Sequence, residues 1–407
     1  MKSSIVIGAN YGDEGKGLMT DFLCKKYDAD LVVRFNGGAQ AGHTVVTPQG
    51  ERHVFSHVGS GYFLGVPTYL SEYFILNPIV YKREMGDLCA FKRRCDVYVS
   101  PRSEITTYWD MLGNRVMEEL RGGGLHGSCG IGINATLDRA KACSLNFAEI
   151  REKYHQSSNI CRNWMRECKL ANIELYWFME LEKFSRMAKK PIPDWAVECF
   201  DRGKEINERF VDDIDFMFKT VIFVEDPSIV FMDRRHAVFE GAQGLALDQF
   251  YGNFPYVTRS NTGIRNVLEM KRECQNAFSI DEIIYVSRTY ETRHGNDPDF
   301  TGGELEGASD KTNVKNEWQG EIRYRKLLFD NLADRIRIDL QANNLWNHRV
   351  SNRVKLAITH TDQIPLDGYD FMRFNNELDH SIPLSYKSNG ETRNDVEESA
   401  MKYDYGS

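Results

Sequence analysis

An apolar run at residues 4–7 passes without a linker into Gly8-Ala-Asn-Tyr-Gly-Asp-Glu-Gly-Lys-Gly17, and a helical pattern follows from 16 to 26. A buried strand that hands a glycine-rich turn to the start of a helix opens an α/β unit, and residues 31–35 supply its next strand. The glycines let backbone N–H groups close on phosphate oxygens. Lys16 adds positive charge, and the helix directs its positive end to the same place. The stretch is not a Walker A loop: its spacing is longer, and Gly17 stands where Ser or Thr would bind magnesium. Asp13 places a carboxylate inside this phosphate loop, where its repulsion must be offset by a metal ion or used in proton transfer. A tight turn with a solvated Asp-Glu pair is the plainer reading of the same residues.

Short β-branched or apolar runs recur at 97–100, 237–239, 283–287 and 354–358, the last three ending in polar or glycine-rich segments. An open α/β sheet presents such loops at the carboxyl ends of its strands. Residues 106–120 read as a helix, and Gly122 to Gly132 as a glycine-rich loop. The stretch 147–218 is helical in character, and its Trp164, Trp177 and Phe178 are expected in the core rather than at a cofactor. No repeat or low-complexity linker divides the 407 residues. The expectation is one α/β domain over 1–407, with a large, mostly parallel central sheet, flanking helices and a helical insertion at 147–218.

The net charge of −8 argues against a nucleic-acid partner, whose binders carry basic faces. Nine cysteines (24, 89, 95, 129, 143, 161, 168, 199 and 274) are scattered without C-x-x-C spacing, so neither zinc nor a disulfide framework is indicated. Reduced thiols in a cytoplasmic compartment, a host's if the source is viral, are the expectation. No run of about 18 apolar residues occurs, so no membrane span is expected.

A second segment, Val32-Val-Arg-Phe-Asn-Gly-Gly-Ala-Gln-Ala-Gly-His-Thr44, runs from a strand through a Gly-Gly turn to His43. A lone histidine is usually structural. One between glycine turns at a strand end is also well placed for acid or base work.

Gly12-Asp-Glu-Gly-Lys-Gly17, with Gly37-Gly38 and Ala41-Gly-His-Thr44, resembles the signature pair of adenylosuccinate synthetases. Phe239-Glu-Gly-Ala-Gln-Gly244, then Tyr256-Val-Thr258 and Ser260-Asn-Thr262, is similar to that family's next block. Thr292-Arg293 with Gly295 and Pro298, Arg323-x-Arg325 and Thr359-x-x-Asp362 continue the likeness in order across residues 5–395. The resemblance implies a ligase that joins L-aspartate to C6 of IMP with GTP hydrolysis through a 6-phosphoryl intermediate. It implies Asp13 as general base and His43 as acid, with Mg²⁺ held by Asp13 and the Gly42 carbonyl. Triphosphate contacts would come from Gly12, Glu14, Gly15, Lys16, Gly17, Gly42, His43 and Thr44, with Asp362 on guanine. The monophosphate would meet Asp13, Gln40, Ser128, Cys129, Arg139, Gln243 and Thr258. Aspartate would be clamped by Arg323 and Arg325, whose plainer reading is a surface pair. A homodimer is expected on the same ground.

Five features depart from the family pattern. Gln40 stands where Asn is usual. Gly127-Ser-Cys-Gly130 corresponds to a phosphate loop whose arginine is replaced by Cys129. Arg139 stands in for the arginine that reaches across the family's dimer. The aspartate loop is shortened to Gln319-Gly-Glu-Ile-Arg-Tyr-Arg325, and His360 replaces the lysine that covers the triphosphate's base. These changes fall on ligand loops while Asp13 and His43 are kept, so altered substrate choice is a second reading: a phage-type enzyme that uses dGMP, with ATP or GTP, on the way to diaminopurine DNA. A nucleotide-binding regulator without ligase activity is the third.

Overall fold

The computed structural model describes residues 1–122, 127–295, 297–310, 312, 321–346, 353–366, 374, 378 and 382–399. The opening unit is β1 (Lys2–Gly8), α1 (Lys16–Lys26) and β2 (Leu31–Arg34), as the sequence pattern predicts. β3 (His43–Val46) and β4 (Arg52–Phe55) form a separate antiparallel hairpin. β5 (Thr68–Leu70), α2 (Pro78–Leu88) and β6 (Val97–Val99) follow. Asn77 caps α2 by accepting from the Val80 N–H, and Pro78 fits the first turn because its missing N–H would have no partner there.

A run of helices comes next: α3 (Tyr108–Arg121), α4 (Ile133–Ala140), α5 (Phe147–Gln156), α6 (Ser158–Trp164), α7 (Ala171–Ala188), α8 (Asp194–Asp201) and α9 (Gly203–Thr220). A π-helical turn, Met165–Leu170, joins α6 to α7. The chain then returns through β7 (Ile222–Phe223), α10 (Ser228–Phe231), β8 (His236–Glu240), α11 (Arg265–Glu273) and β9 (Glu282–Arg288). The hairpin of β10 (Tyr290–Arg293) and β11 (Arg323–Lys326) leads to α12 (Phe329–Ala342), β12 (Val354–Thr359), β13 (Leu384–Ser388) and β14 (Val396–Glu398).

Ten strands form one sheet in the order β14-β13-β12-β9-β1-β8-β2-β5-β6-β7, with every pairing parallel except β13 with β14. A parallel sheet needs cover on both faces, and alternating residues of the central strands supply two cores. Ile5, Ile7, Phe239, Tyr285 and Leu356 pack with Val267, Met270, Leu332 and Ile336 of α11 and α12. Val6, Val32, Val238, Ile284 and Ala357 pack on the other face with Leu18, Met19 and Leu23 of α1. A third core joins α2, α3, α7 and α9 around Trp109, Trp177, Phe210 and Ile214.

Trp177 is buried and Trp164 packs at the edge of that core, as expected. Phe178 is a correction: it lies on the outward side of α7, 43% exposed, with its ring edge-on to Phe200. No helix among the described residues is long and apolar enough to cross a membrane.

Candidate active site

The loops that follow β2, β8, β1, β9 and β12 open at the carboxyl ends of five adjacent strands, and they line one cavity of about 940 Å³. Its opposite wall comes from Asn114, Met117 and Glu118 of α3, Ile133 and Asn134 of α4, and Tyr176 and Trp177 of α7. Two helices begin on this cavity in nearly the same way. Gly15 before α1 has φ 90° and ψ 28°, and Gly132 before α4 has φ 90° and ψ 16°; neither helix has a side-chain cap. Both positive helix ends are therefore left for anions.

The glycine loop after β1 is held by its own acid. Glu14 accepts from the N–H groups of Asn10 (3.0 Å) and Gly12 (2.8 Å), and its other oxygen meets Lys16 Nζ at 2.5 Å. The plainer alternative of a solvated Asp-Glu pair does not hold for Glu14, which is buried. Gly8 cannot be larger: a Cβ there would lie 2.3 Å from the Gln243 carbonyl and 2.5 Å from Glu14. Asp13 adopts φ 62°, its backbone carbonyl accepts from Arg288 Nε, and its carboxylate lies 3.5 Å from His294 Nε2. Burial pushes this carboxyl up, but the hydrogen bond and charge of His294, with Arg288 beyond, leave it below the ordinary aspartate value. It is therefore an anion at neutral pH and able to accept a proton.

His43 follows the Gly-Gly turn into β3, and its Nδ1 lies 2.6 Å from Glu240 Oε1 at the end of β8. Burial lowers the imidazole to about 4, against the pull of Glu240, so the ring is neutral at pH 7. Glu240 is held below the usual carboxylate range despite its burial, chiefly by His43, and it also accepts from the Ser60 N–H and Oγ. A carboxylate can only accept, so Nδ1 carries the proton and Nε2 is the ring nitrogen left for a ligand.

Gln40 and Gln243 also line the cavity. Both side-chain polar atoms of Gln40 and Oε1 of Gln243 are buried with no hydrogen-bond partner among the described residues. Such orphaned amides suit a polar ring edge. Ser128 Oγ donates to Asn114 Oδ1 at 2.7 Å, and the neighbouring Cys129 thiol is pushed up by burial. Thr258 is fixed by its N–H to the Leu247 carbonyl at 2.9 Å. At the other end lie Thr44, Gly42, the exposed Asp362, and His360, which burial and Arg288 lower to about 3.

Fifteen of the predicted site residues line this cavity: Gly12, Asp13, Glu14, Gly15, Lys16, Gly17, Gln40, Gly42, His43, Thr44, Ser128, Cys129, Gln243, Thr258 and Asp362. Three do not, and each is a correction. Arg139 is fully buried inside the helical layer. Its guanidinium binds Asp110 (3.1 and 3.0 Å) and the carbonyls of Ile105 (2.6 Å) and Cys143 (2.7 Å), so it is engaged within this chain and does not line the cavity. Arg323 donates to the carbonyls of Phe300 (2.7 Å) and Gly295 (2.5 Å). Arg325 pairs with Glu291 at 2.5 Å and donates to the Tyr11 hydroxyl at 3.3 Å. Both arginines brace the β10–β11 hairpin instead of facing the cavity. Gln319, at the start of the predicted aspartate loop, and residues 123–126 of the glycine-rich loop lie outside the described residues.

Sequence reasoning missed Glu240, Arg288 and His294. Glu240 and His294 lie inside the matching blocks, where a titratable side chain beside a glycine was the available signal. Arg288 meets Asp310 at 2.7 Å in a buried pair, an arrangement visible only in the fold. Asp13 and Gly42, the two residues expected to hold a metal, both line the cavity, and no group of three or more His, Cys, Asp or Glu among the described residues could cage one. Few hard oxygens on a cavity wall fit Mg²⁺, which takes its other ligands from water and phosphate.

The sequence model of the adenylosuccinate synthetase family matches residues 5–326. The chain is 30% identical to adenylosuccinate synthetase of Lactobacillus acidophilus over 310 residues, covering 73% of this chain and 64% of the relative. It is 29% identical to that of Microcystis aeruginosa over 325 residues, covering 75% and 63%. The chain thus spans just under two-thirds of the length of these curated relatives. The fold is shared with the fully ligated Plasmodium falciparum adenylosuccinate synthetase, at TM-score 0.65, 15% identity and coverage of 97% and 99%. It is also shared with the cyanophage S-2L succinoaminodeoxyadenylate synthetase bound to dGMP and dATP, at TM-score 0.61, 14% identity and coverage of 98% and 95%. With the match spanning most of the chain and its motifs gathered around one cavity, the protein belongs to the adenylosuccinate synthetase family.

Proposed function

We propose that this chain is a carbon–nitrogen ligase that joins L-aspartate to C6 of a 6-oxopurine nucleoside monophosphate, IMP in the leading reading, with cleavage of GTP. The observation that carries it is the convergence of Asp13, the Lys16 loop, His43, Gln40 and Gln243 on one cavity. Asp13 takes the purine N1 proton, and the electron pair moves to O6. O6 attacks the γ-phosphorus as the bond to the β-phosphate oxygen breaks. Lys16 and the N-terminal amides of α1 hold the phosphate oxygens. Phosphate charge favours protonation of His43 Nε2 while Glu240 keeps the Nδ1 proton, and that imidazolium steadies the leaving diphosphate. The aspartate amine then attacks C6 and expels the 6-phosphate. Mg²⁺, held by Asp13 and the Gly42 carbonyl, would supply charge neutralisation on the phosphates. A homodimer remains part of the proposal, without Arg139 as its link.

Gln40 favours a second reading. Its amide is one methylene longer than the family's asparagine, and both polar atoms are buried without a partner among the described residues. A buried amide of that reach suits a purine with a 2-amino group, so dGMP is the alternative acceptor, with ATP or GTP as donor. The deciding experiment follows phosphate release with GTP or ATP, aspartate, and IMP or dGMP in turn. Release that needs aspartate and one monophosphate identifies the acceptor. Triphosphate binding without release under any combination refutes ligase activity and supports a regulator. Under the dGMP reading, Gln40→Asn shifts the ratio of kcat/KM toward IMP.

A further inference from the structure

A nucleoside monophosphate brings a phosphate dianion to the cavity, and the following inference rests on that reading. The two arginines expected near it are gone: Cys129 has no charge, and Arg139 is enclosed by Asp110. Among the described residues, six lysine and arginine side chains line the cavity, namely Lys16, Arg52, Arg121, Arg259, Arg288 and Arg293. Lys16 belongs to the glycine loop with Glu14. Arg288 is paired with Asp310, and Arg293 is buried with its Nη2 held by Asp297 (3.1 Å) and the Tyr256 carbonyl (2.9 Å), its Nε and Nη1 having no hydrogen-bond partner among the described residues. Arg121 neutralises Glu118, a carboxylate only 1% exposed that also accepts from the Gly127 N–H at 3.2 Å. Arg52 lies on β4 and donates to Thr312 at 2.9 Å; Thr312 in turn meets Thr44, on the triphosphate side.

Arg259 is placed differently. It follows Thr258 directly, and its backbone N–H donates to Asn134 Oδ1 at 3.1 Å, tying the 258–260 turn to the first turn of α4. Its guanidinium binds Asp138 of the same helix, and the two side chains are 38% and 41% exposed. An exposed pair of this kind contributes little, so a better anion displaces Asp138 at small cost. Ser128, Asn134, Thr258 and Arg259 thus converge on one wall of the cavity, beside the uncapped start of α4.

We propose that Arg259 is the cation that seats the 5′-phosphate of the nucleoside monophosphate, with Asp138 as its resting partner. The test is calorimetric titration of the full chain with IMP, dGMP, inosine, deoxyguanosine and GTP, together with steady-state kinetics. Arg259→Gln weakens the monophosphate that the wild type binds by about 10- to 100-fold, as loss of a charge-assisted contact should. It leaves the matching nucleoside and GTP within about twofold, and it raises KM for the monophosphate while kcat changes little. Arg259→Lys recovers part of the loss, and Asp138→Asn tightens the monophosphate because the guanidinium is freed. Wild-type affinity in Arg259→Gln, or equal loss for nucleoside and monophosphate, overturns the assignment. If the wild type binds GTP but neither monophosphate, the functional reading itself falls, and Arg259 falls with it.

Discussion

The Asp13 carboxylate is positioned from two sides, its backbone by Arg288 and its side chain by His294. Asp13→Asn keeps the loop's shape but removes the proton acceptor. The expected outcome is triphosphate binding near the wild-type level and ligation slower by about 100- to 10,000-fold. Activity within a few-fold of wild type would remove Asp13 from the chemistry. Glu240→Gln addresses the other half of the site. A neutral amide no longer fixes the proton on His43 Nδ1, so kcat should fall by about 100-fold or more with KM for each substrate little changed. Rates and binding measured on one preparation separate this from simple misfolding. Asp13, Lys16 and His43 were legible in the chain because glycine spacing marks a phosphate loop and its neighbours. Arg288 was not, since it reaches Asp13 only after β9 is laid beside β1. Arg139, Arg323 and Arg325 misled because charge in a motif does not reveal whether a carboxylate or carbonyl has already claimed it.

Among the elements, α3 and α7 pack so closely that Gly113 has no room for a side chain: a Cβ there would lie 2.3 Å from Trp177 Cε3. Gly113→Ala should destabilise the protein by about 1–3 kcal/mol in urea unfolding, despite the better helix propensity of alanine. A stabilised variant would show that the two helices separate readily. Helix α12 carries Asp339, fully buried and hydrogen-bonded by Tyr285 Oη at 2.7 Å and by the Ile264 N–H. Burial raises its folded value to about 7 from 3.8. A raised folded value means stability is greatest below pH 3.8 and is lost as pH climbs to about 7, then stays level. Unfolding free energies of wild type and Asp339→Asn at pH 4.5 and 7 should therefore diverge, by up to ~1.4 kcal/mol per pH unit, with wild type losing more as pH rises. Apolar runs marked the central strands well, because buried parallel strands need them. The two-residue β7 and the division of 147–218 into separate helices were not legible, since each rests on contacts distant in sequence.

At the level of the whole molecule, the cavity lies between the carboxyl ends of the sheet and the helical layer, so a ligand bound there would touch both. A triphosphate at 100 times its dissociation constant should stabilise the fold by about 2.7 kcal/mol, read from unfolding curves with and without ligand. Lys16→Ala should lose most of that gain while Asp13→Asn keeps it. The sheet order itself has a further effect, at its two margins. One ends on β7, only two residues long, and the other on β14, three residues with Glu397 and Glu398 exposed. A strand row that ends so briefly on both sides, with Glu398 already paired to Lys26 at 2.8 Å, gives a neighbouring copy little backbone to pair with. Among the described residues, edges this short are the kind that disfavour strand pairing between molecules.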